Sequence, residues 1–103
     1  MKWLIFQLTN WRDHLDSDPV NLMTNYLPVA LVEADHNEEV WRLTNSIDSY
    51  WGENAGVTMF KDKCRSTMTG DVFLCLDTME YHRAEFCGFS LVSPEIPYKS
   101  NQV

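Results

Sequence analysis

Three histidines, His14, His36 and His82, and three cysteines, Cys64, Cys75 and Cys87, are the residue types in this chain best suited to nucleophilic or metal chemistry. The nearest pairing is His82 with Cys87, five positions apart in a stretch that reads as strand. A Cys-His dyad needs the imidazole within hydrogen-bond reach of the thiol. An offset of five puts two strand side chains on opposite faces, so the pair reads as a surface histidine and a core cysteine. No two cysteines form a C-x-x-C pair, and their odd number points to reduced thiols half-buried in a sheet. Asp13, His14, Asp16 and Asp18 superficially resemble a cation loop, but lack the glycine at the sharp turn and the distal bidentate glutamate of a calcium loop. Gly52, Gly56, Gly70 and Gly88 are too widely spaced to cradle a phosphate. Lys61, Lys63 and Arg65 read as partners for neighbouring carboxylates. With no catalytic constellation, metal site or cofactor site in view, the expectation is a protein that is not an enzyme.

The charges are more informative. The 103 residues carry a formal net charge of −7, which disfavours phosphate backbones and anionic membrane surfaces as partners. The imbalance is local. Residues 13–60 hold nine acids, Asp13, Asp16, Asp18, Glu33, Asp35, Glu38, Glu39, Asp48 and Glu53, against the single base Arg42. The rest of the chain has six acids and seven bases. A concentration of this kind reads either as a well-solvated face or as a surface shaped to meet a basic partner. The early apolar run Trp3-Leu4-Ile5-Phe6 is too short for a signal-peptide core or a membrane span, and the expected compartment is the cytoplasm.

The elements that must position these groups follow from pattern. Residues 2–9 are branched and aromatic and read as a first strand. Asp18-Pro19 enforces an extended turn before a single helical turn at 20–25. Tyr26 to Asp35 is apolar on both parities, as in a strand buried on both faces, with Pro28 tolerated near its start. The main helix begins with Asp35 as cap and Glu38 three residues on; Val40, Leu43, Thr44 and Ile47 form its buried stripe, Glu38 and Arg42 pair four apart, and Glu39 faces outward. Trp51 stands in turn chemistry as a plug over the core, and 57–60 is a short strand. Residues 71–76 and 80–86 read as a hairpin, with Gly88 marking a bulge before 88–92 continues the sheet. The expected architecture is α+β, a small antiparallel or mixed sheet of about four to five strands against one main helix. One domain spans 1–92, with a loose C-terminal tail at 93–103.

Two stretches carry a resemblance. Leu43-Thr44-Asn45-Ser46-Ile47-Asp48, then Trp51, Glu53-Asn54 and Gly56-Val57, are similar to the LTN-x-ID…W-EN-x-GV segment of small proteins borne by phages and plasmids. Arg65-Ser66, Gly70-Asp71-Val72, Tyr81 and Gly88-Phe89 resemble the RS-x-S-x-GDV…Y…GF ending of the same group, also found in YodL-like domains of mobile elements. The resemblance covers about two thirds of the chain and implies a gene on a bacterial mobile element, where small acidic proteins often antagonise host defence.

Together these readings give two expectations. The first is an anti-defence, anti-CRISPR-like inhibitor whose acidic surface occupies a basic nucleic-acid-binding site of a host nuclease complex, a defence protein or ribonucleoprotein. Its partner-binding residues would be Asp35, Glu38, Glu39, Asp48 and Glu53, with Asp13, Asp16 and Asp18 as a second patch. It would bind neither nucleic acid nor membrane directly, and homodimerisation stays open. The second is an accessory module that binds a protein partner through an aromatic surface around Trp11, Trp41 and Trp51.

Overall fold

The structure, a computed structural model, describes residues 1–13, 20–46 and 49–94, Asp13 by its backbone alone. The expected contributions of Asp16, Asp18, Asp48 and Ile47, of the Asp13 side chain and of 95–103 lie outside the described residues. The strands are β1 (Lys2–Leu8), β2 (Tyr26–Glu33), β3 (Val57–Met59), β4 (Val72–Cys75), β5 (Glu80–Ala84) and β6 (Phe89–Val92). They form one antiparallel sheet in the order β3-β2-β1-β4-β5-β6. Helix α1 (Leu22–Asn25) is a single turn, and α2 (Asn37–Thr44) is the main helix. The α+β class holds, and the sheet has six strands instead of the expected four to five. Gly88 accounts for part of the difference. It takes φ +83 in the turn after β5, so the chain reverses into a separate β6 where a bulged continuation was expected.

The bulge lies elsewhere. Between β1 and β2 the register passes from Ile5 opposite Ala30 to Phe6 opposite Pro28, leaving Val29 as the extra residue. Pro28 has no N–H to give, and the interrupted ladder there accommodates it. The same irregularity sends Val29 and Ala30 both into the core while Leu27 and Pro28 stay exposed, so β2 is not buried along both faces as its composition suggested.

One side of the sheet, with Trp3, Ile5, Ala30, Val32, Phe73 and Cys75, packs with Val40 of α2 and with Trp51. A smaller cluster of Leu8, Val20, Tyr26 and Val72 joins Phe6 and Leu22. Trp51 is 1% exposed in a 3-10 turn (Trp51–Glu53), and its indole Nε1 donates to the Arg65 carbonyl at 2.9 Å. It is a core plug, which removes it from any partner-binding surface. The cysteines also depart from expectation. Only Cys75 lies in a strand; Cys64 is in a loop and Cys87 is exposed in the turn before β6. No described helix is long and apolar enough to cross a membrane.

Candidate partner-binding surface

The entry to α2 organises the acidic residues, in a frame one residue later than the sequence suggested. His36, in extended conformation, is the cap, and its Nδ1 accepts from the Glu39 amide at 3.3 Å. Glu39 reaches back, its Oε1 accepting the Asp35 amide at 2.8 Å, and its other oxygen stands 3.6 Å from Arg42. This resembles a capping box built from His36 and Glu39, with the glutamate returning to the amide of the residue before the cap. It corrects the expectation that Asp35 caps, that Glu38 completes the box and pairs with Arg42, and that Glu39 is the outward group. A histidine cap escapes pattern reading because serine, threonine, aspartate and asparagine dominate the position.

The consequence for the surface is a division of labour. Glu39 is half-buried and committed to the helix start, whereas the Asp35 and Glu38 side chains are exposed. Among the described residues neither has a cationic side chain within ion-pair distance, nor does exposed Glu53. Glu33 has the Met1 ammonium at 2.8 Å and Lys2 at 3.7 Å. Asp35, Glu38, Glu39, His36 and Arg42 line a shallow groove of about 400 Å³. The positive end of the helix dipole steadies carboxylates placed here.

Glu38 also borders a second cavity of about 320 Å³, shared with Trp41, Glu85, Phe86, Gly88 and Phe89. The Trp41 and Phe89 rings meet edge to face, with centroids 6.4 Å apart and planes at 80°. Trp11, 37% exposed, is elsewhere in the chain and carries the Arg12 guanidinium 4.7 Å from its ring centroid. The expected aromatic surface of Trp11, Trp41 and Trp51 is therefore not one surface. Phe86 and Phe89 join Trp41 in place of Trp51. Phe86 was read as the end of a strand, and its 80% exposure follows from β5 ending at Ala84, which leaves it in the turn before β6.

Several of the groups with chemical potential are engaged in packing and hydrogen bonds. His82 faces the same side as Trp3, 5.1 Å between ring centroids, and its Nδ1 lies 3.0 Å from the Asn37 amide nitrogen. Burial holds its imidazole below the ordinary value of 6.5, with Glu80 opposing the shift. The cavity beside it, about 220 Å³, is shared with His36, Asp35 and Cys75. Burial pushes the Cys64 thiol up, away from thiolate reactivity. Among the described residues no three His, Cys, Asp or Glu side chains are grouped to hold a metal ion. Arg65 is taken by Asp71 in a two-pronged pair, Nη1 to Oδ2 at 2.8 Å and Nη2 to Oδ1 at 2.9 Å.

The fold and this surface define a small sheet-dominated α+β protein with an acidic helix entry adjoining an aromatic notch. No protein-family model, curated protein or solved structure matches the chain.

Proposed function

We propose that this protein is a non-enzymatic inhibitor encoded by a phage or plasmid, acting in the bacterial cytoplasm against host defence in the manner of an anti-CRISPR protein. Its acidic surface at the entry of α2 occupies a basic nucleic-acid-binding site of a host nuclease complex. The observation that supports this reading is that Asp35 and Glu38 are exposed and, among the described residues, without a cationic side chain at ion-pair distance, beside a helix entry whose other acid, Glu39, is used internally. Exposed carboxylates not engaged in a close ion pair are available to a basic surface. Duplex DNA presents one charge per about 1.7 Å of its axis, and such carboxylates compete with it by the same long-range attraction. The motif resemblance to mobile-element proteins supplies the cellular context.

The test is capture of the partner on immobilised protein across a salt series, with duplex DNA as competitor. Binding is expected to fall steeply with salt and to be displaced by DNA. Glu38→Lys is the informative reversal, because Glu39→Lys would also break the helix start. The accessory-module reading is favoured by a different observation, the notch of Trp41, Phe86 and Phe89. It expects salt-tolerant binding that DNA does not displace.

A further inference from the structure

We propose that the notch between α2 and the β5–β6 turn is a receptor for a single arginine side chain of the protein partner. This deepens the acidic-surface reading and rests on it for the basic character of that partner.

The walls of the notch suit a flat cation. Trp41 and Phe89 stand nearly perpendicular, so two aromatic rings of different orientation line one corner. Phe86, 80% exposed, lines the opening from the turn. Glu38 comes from the first turn of α2 and Glu85 from just past the end of β5, so the acidic rim is contributed by two elements. Glu85 is already bound to Arg83 Nε at 2.8 Å and to the Ser90 hydroxyl. Its part is to hold the rim in place, and the charge at the mouth that has no ion-pair partner among the described residues is that of Glu38.

The lining selects among ligands. An anion would meet Glu38 with no compensating base in the lining. A neutral apolar group would desolvate the rim carboxylates without replacing their hydrogen bonds. A cation over the face of an aromatic ring is attracted by its quadrupole, most strongly at tryptophan. Between the two basic side chains, the guanidinium is planar, weakly hydrated and able to stack on a ring while directing its N–H fork at a carboxylate; the ammonium of lysine is a compact, strongly hydrated point charge. The cavity of about 320 Å³ accepts one such head group with its methylene stem.

The experiment is an amide and indole NMR titration of the full chain with the blocked tripeptide acetyl-Gly-Arg-Gly-amide, beside its lysine and citrulline counterparts and free arginine. Saturable shifts at the Trp41 indole, Gly88 and Phe89 are expected with the arginine peptide. Weaker shifts are expected with lysine and with free arginine, whose carboxylate Glu38 repels, and none with citrulline. Phe86→Ala and Glu38→Gln, both at exposed positions, should each weaken binding about three- to ten-fold while leaving the remaining spectrum in place. No shift at the notch, equal response to citrulline, or shifts spread evenly over every acidic residue would overturn the proposal. Free arginine binding as tightly as the peptide would overturn the assignment to a partner's side chain. The two readings separate cleanly. If the notch fails while Glu38→Lys still weakens DNA-competed capture of the partner, only the arginine receptor falls. If the peptide binds the notch while DNA does not compete for the partner, only the mimic reading falls.

Discussion

Asp71 shows how this small chain spends a buried charge. It is 0% exposed and receives both prongs of Arg65 and the amides of Leu8 and Met68, each at 2.8–2.9 Å. Burial pushes its carboxyl up, and Arg65 and the two amides pull it back. Arg65 also donates to the carbonyls of Leu8 and Ser66, so one ion pair ties the loop before β4 to the end of β1. Arg65→Met would leave a buried carboxylate without its counter-ion and should cost about 3 kcal/mol, read as a shift in the urea midpoint. The sequence marked Arg65, with Lys61 and Lys63, as a partner for neighbouring carboxylates, but did not single out Asp71 as the acid. The setting of His82 was not legible there, because it comes from Trp3 of β1 and Asn37 at the start of α2, 79 and 45 positions away and brought beside it only by the fold. Its folded value lies below 6.5, so the unfolded chain takes up the proton first. Its contribution is whole above about pH 6.5 and is lost as pH falls through the depressed folded value. His82→Gln should therefore flatten the decline of stability below pH 6.5, measured by denaturant midpoints across pH; an unchanged decline would assign it to other groups.

At the scale of elements, the entry of α2 decides which acids are surface and which are structure. His36→Ala removes the side-chain acceptor for the Glu39 amide and should cost about 1 kcal/mol in thermal or urea unfolding, with the sheet retained. The existence of α2 was readable from Val40, Leu43 and Thr44, yet its frame was not, because Asp35 is a better cap by type and His36 is the cap in fact. Composition marked β2 as a strand, whereas the bulge at Val29 depends on its register with β1, a non-local quantity. The turn at Gly88 had the same ambiguity: a lone glycine among strand residues fits a bulge or a reversal, and pairing of Ala84 with Phe89 decides for reversal.

For the whole molecule, sequence charge located the acidic half, and folding subdivided it. Glu39 is engaged at its own helix start and Glu33 with the start of β1, Trp51 is sealed in the core, and Asp35 and Glu38 are left at a helix entry, Glu38 next to Trp41, Phe86 and Phe89. That juxtaposition joins α2 to the β5–β6 turn, which lies more than forty residues later, and no local pattern could state it. We propose this entry as an electrostatic docking surface for a basic partner. Its most direct measurement is the affinity of the captured partner for wild-type protein and for Asp35→Lys/Glu38→Lys, each at low and high salt and with competing duplex DNA. Strong salt dependence and DNA competition are expected for the wild type, with a loss of at least about ten-fold at low salt in the double reversal. Equal affinities for the two proteins, unchanged by salt or DNA, would contradict it.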